Sequence, residues 1–64
     1  MKIKDIKKGE YFTLKAIAEP TEAQVYVRGE YIKEAKAYSC YKFSDVNAER
    51  LFKGTKEVFV DFVF

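Results

Sequence analysis

The sequence predicts a small all-β domain, a partly open antiparallel barrel of five short strands. Runs with apolar residues at alternate positions recur at short intervals, and turn-forming residues separate them, which is the signature of a small barrel or sandwich. Aromatic residues make up 17% of the 64 residues. Each buried ring removes about 150–250 Å² from water, so a few rings fill a small core. A two-layer sandwich is barely fillable at this length. A curved barrel also hides strand edges that would otherwise pair with other chains.

The chain opens with a basic lead-in over residues 1–10, and within its first eight residues Lys2, Lys4, Lys7 and Lys8 stand against a single acid, Asp5. Ile3 and Ile6 lie three apart and share one side of a helical turn, so they are expected to plug one end of the core. Gly9 takes a positive φ without cost and closes this segment as a turn. Residues 11–17 read as the first strand, with Phe12 and Leu14 inward and Tyr11, Thr13 and Lys15 outward. Pro20 lacks a donor and marks a loop over residues 18–23.

Residues 24–31 form the second strand, with Val25 and Val27 inward and Gln24, Tyr26 and Arg28 outward. Gly29 interrupts this strand and is expected to mark a bulge or sharp bend. Residues 32–36 are too short for a stable helix and read as a hairpin loop. Residues 37–43 form the third strand. Lys42 must keep its ammonium in water, which favours Tyr41 and Phe43 for the core. Ser44, Asp45 and Asn47 are turn formers, so residues 44–49 read as a turn and 50–53 as a short fourth strand. Gly54 and Thr55 make the next turn. Residues 57–64 read as the last strand, with Val58, Val60, Phe62 and Phe64 on the core side and Phe59, Asp61 and Val63 opposite. Phe62 is expected to be the most buried of these, being neither terminal nor beside the turn.

Composition narrows the function. Net charge is +2 from 12 basic and 10 acidic residues, an ordinary solvated surface with a basic corner. There is no histidine and only Cys40, which excludes an intrachain disulfide and leaves no structural zinc set. The lead-in has no apolar run of signal-peptide length and no stretch reaches membrane-span length, so a cytoplasmic protein is expected.

Four segments carry a resemblance: the lead-in (Lys2, Lys4, Asp5, Ile6, Lys7, Gly9, Phe12), the second strand from Val25 to Tyr31, the third from Ala37 to Phe43, and the ending Glu57, Val58, Asp61, Phe62, Phe64. Together they resemble a group of small proteins from Bacteroides-type bacteria and from phage or mobile-element gene sets. The resemblance covers nearly the whole chain and implies a short SH3-like β-barrel over residues 1–64. It carries no catalytic residues or cofactor to transfer.

Catalytic chemistry finds no footing in the residues. General acid–base work needs a partnered, tuned acid or base, and the carboxylates here stand apart with no histidine near them. Cys40 lacks a base beside it and reads as a small buried hydrophobe; Lys42, two residues on, would lower its pKa only slightly. Arg28-Gly29-Glu30 and Lys53-Gly54-Thr55 are turns rather than phosphate loops. No enzyme, cofactor or metal is expected.

Tyr26 and Arg28 on the second strand and Tyr38 and Lys42 on the third would share one outward face if those strands are neighbours. Tyrosine and arginine are enriched at the centres of protein interfaces, which makes these four a candidate partner surface. The same mixture would suit weak single-stranded nucleic-acid binding. A homodimer is the third reading, through a strip left by Phe59 and Val63. The expected function is therefore a protein-binding or accessory module.

Overall fold

Four strands form one antiparallel sheet in a computed structural model that describes all 64 residues. They are β1 (Tyr11–Phe12), β2 (Tyr26–Ile32), β3 (Ala37–Lys42) and β4 (Asp45–Phe52), and they lie side by side in chain order. The chain is all-β apart from two short 3-10 turns, Ile3–Asp5 and Glu22–Gln24. No helix is long and apolar enough to cross a membrane.

The expected fifth strand is not formed. Over 57–64 only Glu57 and Phe59 make bridges, to Lys2 and Thr13 respectively. The reason lies in the partners. β1 bends away after Thr13, whose hydroxyl donates to the Lys15 carbonyl at 2.6 Å, so the first strand spans two residues rather than the predicted seven. The bent segment offers the C-terminal residues no strand-long edge. Beyond the bridges, the Phe62 amide turns back to the Val60 carbonyl and the Val63 amide bonds Ala18.

Residues 44–49 are not a turn. The turn is only Phe43 and Ser44, and β4 runs on from Asp45. The turn chemistry of Asp45 and Asn47 is real but serves another purpose: the Asp45 carboxylate accepts the Asn47 amide at 3.0 Å inside an irregularity where the register shifts between Tyr41 and Lys42. β4 tolerates these residues because it is an edge strand whose side chains stand largely in water. The β2 irregularity falls where glycine predicted it, between Arg28 and Tyr31. A side chain at Gly29 would place its Cβ 2.2 Å from the Ser39 carbonyl oxygen, so only glycine allows β3 this close. Lys33–Lys36 form the loop between β2 and β3, ending on Lys36 at positive φ.

The core sits on one side of the sheet and is closed by segments that are not strands. Ile3 and Ile6 plug it as expected, and Phe12, Tyr26, Cys40, Phe52 and Val58 complete it. Phe12 stacks on Tyr26 at 5.7 Å, and Phe52 meets both edge-on at 6.1 and 5.9 Å. Val58 is fully buried, Phe62 is half-buried and Phe64 is exposed, so Val58 and not Phe62 anchors the C-terminal segment.

Three face assignments reverse. Thr13 is fully buried, made tolerable by its hydroxyl bond to Lys15 and its paired backbone bonds with Phe59. Tyr26 is buried rather than outward, because its ring packs between Phe12 and Phe52; Val25 and Val27 are buried as expected. On β3 the buried residues are Ala37 and Cys40, while Tyr41 is half-buried and Phe43 exposed. Lys42 does not need the solvent face, since it stands at the rim of the core side beyond Tyr26.

Candidate interaction surface

The register brings all four sequence-predicted residues to one face, but that face is the covered one. Lys42 lies opposite Tyr26, Arg28 lies opposite Cys40, and Tyr38 follows across the bulge opposite Tyr31. Tyr26 is only 6% exposed and belongs to the core. Its phenol oxygen accepts a hydrogen bond from Arg50 Nη1 at 3.4 Å, which satisfies the polar end of a buried ring. Arg28 is half-buried, its guanidinium 4.3 Å from the centre of the Tyr38 ring. Tyr26 is therefore removed from the candidate surface. Arg28, Tyr38 and Lys42 remain at its margins.

The other face of the sheet is where apolar groups stay in water. One residue from each strand forms a row across it: Tyr11 opposite Val27, Val27 opposite Tyr41, and Tyr41 opposite Glu49. Above one end of this row three rings gather edge to face. Tyr11 meets Phe43 at 5.4 Å and Phe64 at 5.7 Å, and Phe43 meets Phe64 at 4.8 Å. Their exposures are 43%, 37% and 49%, and neighbouring Val46 is 67% exposed. A shallow depression lined by Gly9, Tyr11, Val27, Tyr41, Phe43 and Val46 runs through the cluster. Gly9 has φ 91°, so glycine lets the lead-in turn onto β2, where its amide bonds the Arg28 carbonyl at 2.8 Å.

Phe43, Val46 and Phe64 were missed as surface residues, whereas Tyr11 stands outward as expected. The signal was present at Phe43: it directly precedes Ser44 and Asp45, and a residue in a tight hairpin sits at the sheet's end rather than over its middle. The row itself carries one charge. It belongs to Glu49, which accepts a hydrogen bond from the Ser39 hydroxyl. Ion pairs lie elsewhere, between Lys8 and Glu30 at 2.6 Å and between the Met1 ammonium and Glu57.

Cys40 is fully buried. Burial pushes its thiol pKa up, against smaller opposing effects from a Gly29 backbone hydrogen bond and the Arg28 charge. A buried, protonated thiol is the wrong state for a nucleophile. No cluster of three or more histidine, cysteine or acidic side chains is arranged to hold a metal ion. No protein-family model, curated protein or solved structure matches this chain.

Proposed function

We propose that this domain is a non-enzymatic module that binds another protein through the face built on Tyr11, Tyr41, Phe43, Val46 and Phe64. The observation that carries the reading is the three-ring cluster left in water above a row that carries one charge. Exposed aromatic groups cost hydration free energy unless a partner covers them, and aromatic anchors dominate binding at protein interfaces. We read the barrel as the SH3-like, five-stranded form, with Glu57–Phe59 as its reduced last strand. The bridges to Lys2 and Thr13 support that reading. The lead-in and C-terminal motifs support a place among the small proteins of Bacteroides-type bacteria and mobile elements, in the cytoplasm.

The test is photo-crosslinking in the source cells with benzoylphenylalanine in place of Phe43, and separately in place of Glu34 in the exposed β2–β3 loop. Binding through the aromatic face gives a discrete heavier adduct from position 43, lost when Tyr11→Ser is added, and none from position 34. An adduct of twice the chain's own mass identifies a second copy as the partner, which is the homodimer reading. Equal adducts from both positions would reject the face.

A further inference from the structure

Beyond the Gly29 bulge, the margin of the covered face carries cations that no carboxylate neutralises. Arg28 stacks on Tyr38; its Nη1 donates to the Gly29 carbonyl at 3.1 Å and its Nε is buried with no acceptor. Tyr31 lies beside Tyr38, ring centres 5.0 Å apart, and is 47% exposed. Lys4 and Tyr38 both flank Gly54: a Cβ there would stand 3.2 Å from the Tyr38 ring and 3.4 Å from the Lys4 Cβ. β4 adds Arg50, which lies opposite Cys40 as Arg28 does from the other side, with its guanidinium 5.3 Å from the Phe52 ring centre. Both ion pairs of the molecule leave Lys4, Arg28 and Arg50 out.

The nearby acids are engaged. Glu30 pairs with Lys8, the Glu10 carboxylate accepts the Lys7 amide, and the Asp5 carboxylate accepts the Lys2 amide. Lys42 is set aside because Asp45 lies directly opposite it. What remains is Arg28 stacked on Tyr38, Lys4 near it across Gly54, Arg50 over the neighbouring Phe52 ring, and Tyr31 open to solvent. Guanidinium groups offer planar paired donors that match phosphate oxygens. An exposed ring beside them accepts an unpaired base, which a duplex keeps within its own stack. An acidic peptide would satisfy the cations but has no use for Tyr31.

We propose that Lys4, Arg28, Arg50, Tyr31 and Tyr38 form a binding site for single-stranded nucleic acid, with phosphates against the cations and a base stacked on Tyr31. The site is separate from the Tyr11–Phe43–Phe64 face, so either assignment stands or falls without the other.

The experiment is fluorescence anisotropy at low salt with a labelled oligothymidylate of about ten nucleotides. Tyr31→Leu keeps an apolar strand residue at an exposed position and is expected to weaken binding roughly 5- to 150-fold, the range for losing one stacked base. Arg50→Gln, also exposed, should reduce the slope of log K against log salt by about 0.7, one phosphate contact to a single strand. Tyr11→Ser should change neither quantity. Circular dichroism confirms that each variant is folded. The proposal is overturned by no binding at low salt, by full affinity in Tyr31→Leu, by tighter binding to the duplex, or by labelled polyglutamate binding as tightly as the oligonucleotide.

Discussion

The two faces of the sheet carry the same kinds of residue and meet opposite fates. On one, Phe12, Tyr26 and Phe52 pack against one another and are closed over by Ile3, Ile6 and Val58. On the other, Tyr11, Phe43 and Phe64 pack against one another just as closely and remain in water. Ring-to-ring geometry does not separate the two clusters. The cover does, and it comes from the lead-in and the C-terminal segment, neither of which is a strand. In so short a chain there is material to close one face only.

The sharpest way to break this comparison is to remove one ring from each cluster. Phe12→Ala should cost about 3–5 kcal/mol, the lost transfer energy plus the cavity in a packed core. Phe43→Ala should cost only about 0.5–1.5 kcal/mol, the worth of its edge-to-face contacts, since its solvent side loses nothing. Urea unfolding of both variants beside the parent measures the difference. Comparable losses would mean that the outer face is covered in solution. If the loss at Phe43 grew with protein concentration, the cover would be a second copy.

Gly29 positions both faces, because the bulge there re-aims β2 between Arg28 and Tyr31. Gly29→Ala drives a methyl group into the Ser39 carbonyl, and β3 must retreat. A loss of about 1–3 kcal/mol is expected, the usual cost of overpacking, accompanied by a changed Tyr31–Tyr38 contact. Unfolding with urea and amide chemical shifts along β3 read the two effects. An alanine variant as stable as the parent would show that the bulge is not fixed by this close approach.

The smallest effect belongs to the rim between the faces, where Lys8 pairs with Glu30. The lysine's hydrogen bond, and then its charge, hold the Glu30 carboxyl below its ordinary value. Because the folded pKa is depressed, the pair's contribution is present above the unfolded carboxylate pKa and is lost as pH falls through the folded one. Lys8→Gln should raise the Glu30 titration midpoint, read by NMR, while stability stays within error, as for most exposed pairs. A clear drop in stability would show that the pair clamps the lead-in onto the bulge.

The parts of this fold legible in the sequence are those set by local chemistry. Gly29 announced a bulge because glycine alone permits such close approach. Ile3 and Ile6 announced a plug because their spacing gives them one side of a turn. Phe12 held its place because a strand's first inward aromatic has little choice. Strand faces proved harder. Alternation tells which residues go together and leaves open which set is covered; Lys42 favoured Tyr41 with Phe43, and the covering segments close over Cys40 instead. Asp45 and Asn47 misled for another reason: pairing with β3 overrode their turn preference, and they shaped an irregular edge strand instead. Of the candidate surface, the shared face of Arg28, Tyr38 and Lys42 was legible from strand adjacency. The burial of Tyr26 was not, because it depends on Phe12 and Phe52 arriving from distant positions.

Ile3 and Val58 are both fully buried in one core, and the Ile3 amide bonds the Lys56 carbonyl at 3.1 Å while the Val58 amide bonds Met1. The residues that complete this core lie near opposite ends of the sequence. The entropy of closing nearly the whole chain into a loop is therefore spent before the last apolar contacts form. The hairpins β2–β3 and β3–β4 are local and are expected to form first, which would leave an open sheet with rings exposed on both sides. This topology belongs to the slow end of the small-domain range, and its vulnerable species is that half-closed sheet. A chaperone or a protease would meet the protein in that form.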